Sequence, residues 1–339
     1  MATIDITDAK ELTLAVNNNL EPSRFLASFF KTLTHNTKDV MIDFVEGSQK
    51  LAPYIRDGQE STITNRDGYA TRSVHCYDIS LKRRTTAFDC LKRLPGEAPV
   101  VASAKSPEER AAELAGRDMA ELQGRIRRSE EKLISDAMFT GKVSIKDAAG
   151  KEIDSVDLGL AASHKLSKAW TTANYKGITS DIEEAATKVA EDSGLTATDV
   201  ILGSTAADTA FKNDFFLKQL DTKNLAGIAA TVNLRVNRGA RLVGVVGGLR
   251  IWRYDEIYKD ASNTTQKIIP SSGVVVLADQ LQATLHYGVA GDIKNGFFEG
   301  QFAADTWYED DPPVQWLRVR SAPLPIIEQI AGVATITVS

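Results

Sequence analysis

Histidine and cysteine are the residue types best suited to bind a metal or to transfer protons near neutral pH, and this chain has few of them. The histidines are far apart and belong to no HExxH or HxH pattern: His35, His75, His164 and His286. The two cysteines, Cys76 and Cys90, form no CxxC pair and cannot build a disulfide framework. His75, Asp78 and the two cysteines could supply metal ligands, but two reduced cysteines on a hairpin are the simpler interpretation. The sequence therefore predicts no metal and no cofactor.

Two glycine-containing stretches superficially resemble catalytic or phosphate-binding loops. Residues 244–248 (GVVGG) lack the Lys-Ser/Thr of a P-loop and the third glycine of a dinucleotide fingerprint. The LRIW that follows is strand-like, so a tight turn between two strands is favoured. Residues 203–205 (GST) lack the spacing of a nucleophile elbow. We predict that the chain is not an enzyme; an α+β enzyme using Asp or Glu of the middle domain stays open as an alternative.

Length and composition limit the classes of protein to which the chain could belong. The chain has 339 residues, 43% of them hydrophobic and 25% charged, with a net charge of −5. Such a chain can build a core, and its length predicts two domains, interleaved or sequential. The acidic balance argues against a surface that grips nucleic acid as a whole. No apolar run approaches the roughly 20 residues of a membrane span, and the N-terminus has no secretory pattern, so we expect no membrane partner.

Basic residues nevertheless cluster at residues 82–84 (KRR), 92–93 (KR) and 125–128 (RIRR). A nucleic-acid site usually places aromatic side chains among such charges, and only Tyr77 and Phe88 come close in the sequence. Contacts with acidic patches of a neighbouring subunit are the favoured interpretation.

The N-terminal region, residues 1–38, has the character of an arm. Its apolar residues at 25, 26, 29, 30 and 33 have the spacing of one helix face, which includes Phe25, Phe29 and Phe30. Such an aromatic face must bury against the chain's own core or against another chain.

Residues 56–93 contain eight Lys and Arg against five Asp and Glu, and they show strand-type residues on both sides of the turn Asp67-Gly68. A long polar hairpin has no core of its own, so it needs a neighbour to lie on.

The strongest helix signal follows. Ser106-Pro107-Glu108-Glu109 combines an N-cap, a proline at N1 and a capping box, and no further proline precedes Gly141. We predict one helix over about 106–140, packed on a sheet. Beyond it, the pattern predicts a hairpin at 143–160, a helix from 180 to Gly194, a strand at 200–202 and a helix that Ser204 caps. Strands are predicted at 241–246, 249–254, 274–277, 284–289 and 333–338, which makes the fold class α+β.

Taken in order, these parts resemble the major capsid proteins of tailed bacteriophages, in particular the lambda-type major head protein family with the Hong Kong 97 capsid fold. Four stretches carry the resemblance, at 21–30 (EPSRFLASFF), 44–54 (FVEGSQKLAPY), 91–99 (LKRLPGEAP) and 320–326 (RSAPLPI). They are similar to the family's arm, the start of its extended loop, the end of that loop and its closing motif.

The resemblance implies a domain plan and a structural role. The plan is an N-terminal arm (1–38), the start of a peripheral domain (39–55), an extended loop (56–93), the peripheral domain with its spine helix (94–168), an axial domain (169–298) and a return to the peripheral domain (299–339). The role is to assemble as hexamers and pentamers into an icosahedral shell of the virion that encloses double-stranded DNA without sequence-specific binding. Assembly in the bacterial host cytoplasm is implied.

The resemblance also implies partners. They are other copies of the chain, a scaffold, a portal and a decoration protein. Because no long charged helix precedes the arm, the scaffold is expected to be a separate protein; the alternative is that the chain is already the mature form. We expect the subunit contacts to involve Phe25, Phe29, Phe30, Arg66, Arg72, Lys82, Arg83, Arg84, Glu108 and Glu109. In particular, the loop cations are expected to face acidic patches of a neighbour, such as Glu108 and Glu109. A cellular nanocompartment shell of the same fold is the main alternative.

Overall fold

The computed structural model describes residues 25–45, 69–92, 106–170, 175–220, 239–292 and 296–339. Within them lie five α-helices: α1 (Ala87–Leu91), α2 (Pro107–Thr140), α3 (Ile178–Ser193), α4 (Ser204–Phe211) and α5 (Asp214–Gln219). Short 3-10 helices span Leu26–Phe29, Ala162–His164 and Ile330–Gly332. The same residues form β1 (Lys31–Thr34), β2 (Asp39–Val45), β3 (Tyr69–His75), β4 (Ile79–Thr86), β5 (Lys142–Lys146), β6 (Glu152–Asp157), β7 (Lys165–Lys168), β8 (Ala197–Leu202), β9 (Ala240–Val246), β10 (Leu249–Tyr254), β11 (Ile257–Lys259), β12 (Thr265–Lys267), β13 (Gly273–Ala278), β14 (Ala283–Tyr287), β15 (Ala290–Asp292), β16 (Gly296–Phe298), β17 (Ala303–Asp310), β18 (Pro313–Ser321), β19 (Pro323–Ile327) and β20 (Val333–Val338).

The long helix α2 confirms the strongest sequence signal. The Ser106 hydroxyl accepts a hydrogen bond from the Glu109 amide, and the Glu109 carboxylate accepts one from the Ser106 amide. At the other end Gly141 adopts φ +70°, a left-handed conformation that glycine tolerates without a Cβ clash. Both boundaries therefore follow from local chemistry.

Helix α2 packs against two different layers along its length. Near its middle, Leu122 and Ile126 share a core with Leu317 and Val319 of the antiparallel sheet β17–β18–β4. Towards its C-terminal end, Ile134 and neighbouring side chains join the main core of the molecule. One helix thus connects the three-stranded sheet to the rest of the subunit.

A mixed six-stranded sheet, in the order β7–β20–β13–β8–β10–β9, forms the largest layer. Helices α3 and α4 share one core with one of its faces, and its other face joins the main core. The predicted strand at 333–338 is confirmed residue for residue as β20, and it lies between β7 and β13. The predicted domain boundaries stay a prediction. The sheet combines β20, which belongs to the segment predicted to return to the peripheral domain (299–339), with strands of the predicted axial domain.

The predicted helix over the arm's aromatic residues is wrong. A single 3-10 turn, Leu26–Phe29, leads directly into strand β1, which pairs in parallel with β14. Leu33 lies in that strand and is exposed, so it does not share a buried face with Phe25. Backbone hydrogen bonding to β14 has outweighed the helical spacing of the side chains.

The predicted hairpin around Asp67-Gly68 stays a prediction, because residues 62–68, which hold its first strand and its turn, lie outside the described ranges. The stretch predicted as its second strand, 74–79, runs from the end of β3 to the start of β4; β3 pairs with β2, whereas β4 pairs with β18. One further prediction needs correction. The helix expected from Ser204 is two helices, because the Asn213 side chain accepts hydrogen bonds from the amides of Phe215 and Phe216 and starts α5.

Candidate subunit-contact surfaces

Strand β4 contains the basic cluster at 82–84, and it lies in the subunit's own sheet. Its residues pair with β18 from Ile79 opposite Ser321 to Thr86 opposite Val314. Because side chains alternate across a strand, Ile79, Leu81 and Arg83 face α2, whereas Lys82 and Arg84 lie on the opposite face. The basic cluster is thereby divided between two sides of one sheet.

Arg83 joins β4 to the spine helix α2 through hydrogen bonds. Its Nη1 donates to Asp118 at 2.6 Å and to Glu121 at 2.7 Å, and Glu121 also accepts from Arg125 at 2.8 Å. These bonds raise the pKa of the Arg83 guanidinium, chiefly through the hydrogen bond to Glu121. The bond from Arg83, with a second contribution from Arg125, lowers the pKa of Glu121 to about 2.

Glu108 and Glu109, which we expected to face loop cations, lie in the first turn of α2. Glu109 is engaged in the capping box with Ser106, and Glu108 is exposed. Within the subunit, Arg83 therefore binds carboxylates of the same helix at Asp118 and Glu121. A contact of Arg83 with Glu108 of a neighbour stays a prediction.

The face of the three-stranded sheet that is turned away from α2, which we call the open face, includes two tryptophans. Trp307 and Trp316 lie opposite each other in β17 and β18, with ring centroids 6.0 Å apart and planes at 16°. The Lys82 ammonium lies 4.5 Å from the centre of the Trp316 ring, and Arg84 pairs in register with Trp316. Both tryptophans are more than 220 residues away from the basic cluster in the sequence, so no local pattern could have placed them there.

The aromatic residues of the arm pack mainly within the subunit. Phe25 and Phe30 are buried, whereas Phe29 is partly exposed. The Phe25 ring lies 4.9 Å from that of Trp252 and 5.8 Å from that of Tyr254, centroid to centroid. In the described chain, therefore, this part of the arm covers its own core.

A buried carboxylate holds the same junction together. Glu131 of α2 accepts hydrogen bonds from the Ala27 amide at 3.2 Å and from the Tyr254 hydroxyl at 3.0 Å. Burial and the charges of Glu131 and Glu256 raise the pKa of Tyr254, which keeps its proton. The arm, the spine helix and β10 thus meet at one polar contact inside the core.

A histidine pair lies where the arm leaves strand β1. His35 Nε2 and His286 Nδ1 are 2.8 Å apart, and their rings are stacked at 5.1 Å. Burial, with a smaller contribution from His35, lowers the pKa of His286 to about 4. Nearby, burial raises the pKa of the Cys76 thiol to about 11, so this cysteine is not a thiolate at neutral pH.

The remaining predicted contact residues are less informative. Arg66 lies outside the described residues. Arg72 Nη1 donates to the Asp157 carbonyl at 3.3 Å and so connects β3 to the β5–β6 hairpin.

The described residues offer few sites for chemistry. Within the described ranges, no group of three or more His, Cys, Asp or Glu side chains is placed to hold a metal. None of the described helices has the length and apolar character needed to cross a membrane. An open cleft of about 390 Å³ lies between β4, α1 and α2, and its lining combines Arg83, Arg84 and Lys92 with Asp89 and Asp118.

Comparison with known structures identifies the fold. The crystal structure of a protein described as the capsid protein of an E. coli CFT073 prophage superposes with a TM-score of 0.74 at 19% identity, over 98% of this chain and 99% of that one. A phage-related protein of Bordetella bronchiseptica RB50 gives a TM-score of 0.57 at 10% identity, over 99% of this chain and 98% of that chain. A chain from Gordonia phage Cozz gives 0.52 at 11% identity, over 95% of this chain and 88% of that chain. The predicted α+β fold of the Hong Kong 97 type is confirmed.

Sequence comparison supplies the family. No curated protein is significantly similar to the chain. The family model of phage major capsid protein E, in contrast, matches residues 8–338, which is nearly the whole length. The chain therefore belongs to the phage major capsid protein E family.

Proposed function

We propose that copies of this chain form hexamers and pentamers and close into the icosahedral head of a tailed phage. The observation that carries the proposal is the family match over residues 8–338, together with a fold shared along the whole length with a prophage capsid protein. In such a shell the chain acts as a building unit, and its chemistry consists of contacts between copies rather than catalysis.

The packaged molecule is double-stranded DNA, enclosed without sequence-specific contacts. The net charge of −5 supports this part of the proposal, because a strongly basic shell would bind the phosphate backbone and hinder packaging and release. A separate scaffold, a portal and a decoration protein are the further partners, and the shell assembles in the cytoplasm of the bacterial host.

Expression of the chain together with the neighbouring head genes of its phage tests this function. Purified particles are expected to contain DNA that resists added nuclease, and this DNA should disappear when the packaging genes are omitted. Particles that contain a bound enzyme and no protected DNA under either condition would contradict the proposal and favour a nanocompartment.

A further inference from the structure

The three-stranded sheet β17–β18–β4 has two outer strands of opposite charge. Within the described ranges, neither β17 nor β4 pairs with another strand on its outer side. Outer strands of this kind are the parts of a sheet that other chains contact most readily, and charged residues control which chains do so.

On β4, Lys82 and Arg84 form what we call the basic edge. Both side chains are exposed on the open face. In the part of the chain that the structure describes, neither has a carboxylate within ion-pair distance; Lys82 instead lies over the Trp316 ring. Two cations therefore stand at one side of the sheet without an ion pair among the described residues, and the Asp89 carboxylate of α1 attracts Arg84 only at longer range across the cleft.

At the end of β17, Glu309, Asp310 and Asp311 form what we call the acidic edge. All three are exposed, and among the described residues none forms an ion pair. Glu309 lies opposite Val314, which in turn lies opposite Thr86, so Glu309 is on the same open face as Arg84. The strands β17 and β4 are two strand spacings, or about 10 Å, apart.

We propose that the acidic edge of one subunit contacts the basic edge of a second copy of this chain. The complementary charges lie on one molecule and at opposite sides of one sheet, with Glu309 on the same face as Lys82 and Arg84 and Asp310 on the other face, so a neighbour placed side by side brings them together. Each copy uses two different surfaces, and such a head-to-tail contact closes into a ring when its rotation divides a full turn. The inference rests on the proposed function, since it names one contact that joins the subunits.

A polyanion is a less suitable occupant of the basic edge. Glu309 lies two strand spacings across and two residues along from Arg84, or about 12 Å away, which is comparable with the roughly 10 Å screening length at 0.1 M salt, so its carboxylate weakens the attraction of a nucleic-acid backbone to the basic edge. The acidic edge favours a protein surface that brings its own cations, as a second copy does.

Charge reversal tests the contact. The variants are Lys82→Glu/Arg84→Glu, Glu309→Lys/Asp310→Lys and the combination of all four changes. Each double variant is expected to yield at least tenfold fewer assembled particles by sedimentation than the wild type, because like charges then face each other. The fourfold variant is expected to recover most of the assembly, since its edges are complementary again.

A matched control separates this contact from general charge effects. Lys151→Glu/Lys165→Glu changes the net charge by the same amount as the first variant, at exposed positions between β5 and β6 and in β7, which belong to other sheets. The control is expected to assemble like the wild type, and thermal unfolding should show all variants folded. Double variants that assemble normally, a fourfold variant that stays unassembled or a control that loses assembly would each overturn the inference. In those cases wild-type particles would still support the capsid function, whereas a wild type that never assembles would count against that function itself.

Discussion

The Arg83 guanidinium of β4 and the Asp118 carboxylate of the spine helix are joined by a 2.6 Å hydrogen bond inside one subunit. Asp118 is mostly buried and Arg83 partly so. This basic strand, which belongs to the segment predicted to need a neighbour to lie on, is therefore attached to its own helix at this point.

Removal of this attachment should destabilise the chain. Arg83→Ala is expected to lower the free energy of unfolding by about 1–2 kcal/mol, between the values typical of exposed ion pairs and of charged hydrogen bonds. Thermal or urea unfolding measures the change. Arg128→Ala, an exposed arginine on the same helix without an ion pair among the described residues, should change stability by less than about 0.5 kcal/mol. Equal effects of the two substitutions would show that the attachment does not stabilise the fold.

The stabilisation that Glu121 contributes through this attachment should decrease as the pH falls. Its folded-state pKa of about 2 lies below the ordinary value of 4.5, so the unfolded chain binds the proton more readily between these values. The stabilisation is complete above about pH 4.5 and is lost as the pH falls towards 2. The difference in melting temperature between the wild type and Glu121→Gln should therefore shrink over that range. A difference that stays constant from pH 7 to pH 2.5 would contradict this assignment.

His286 should make the fold sensitive to acid at higher pH. Its pKa falls from 6.5 to about 4 on burial, so between these values the unfolded state binds more protons and stability decreases as the pH falls. The loss is expected to begin below pH 6.5 and to reach about 3 kcal/mol near pH 4. His286→Gln should show a flatter pH profile than the wild type in thermal unfolding. His75→Gln is the control, because His75 is only partly buried, contacts Asp39 and lies outside the His35–His286 pair. A pH profile flattened by that change alone would assign the effect to another group.

The arm should contribute to stability within a single subunit. Phe25 is 2% exposed, and Phe25→Ala is expected to cost about 3 kcal/mol, which is typical of a buried phenylalanine. Phe88 is 73% exposed, so Phe88→Ala should cost less than about 0.5 kcal/mol. Unfolding of unassembled protein measures both. A Phe25 variant as stable as the wild type would place the arm outside the subunit's own core.

Local signals explain which elements the sequence could predict. Helix α2 begins at Pro107 and ends at Thr140 because a capping box and a left-handed glycine fix its ends, and both are visible within a few residues. Strand β20 could be predicted for a similar reason, because its sequence is an uninterrupted run of β-branched and apolar residues.

Long-range pairing explains what the sequence could not predict. The spacing of Phe25, Phe29 and Leu33 suits a helix. Residues 31–34 instead form strand β1, because β14 lies beside them and pairs with them. Nothing near residues 82–84 indicates that Trp316 lies beside them, because β4 meets β18 only in the folded chain. The candidate contact residues were therefore predicted by type, whereas their partners within the subunit depend on topology.

Electron microscopy combined with sedimentation tests the central claim most directly. The wild-type chain, produced alone and with its neighbouring head proteins, should form closed shells, tubes or rings with fivefold and sixfold symmetry. A monomer or small dimer under both conditions would contradict the capsid role.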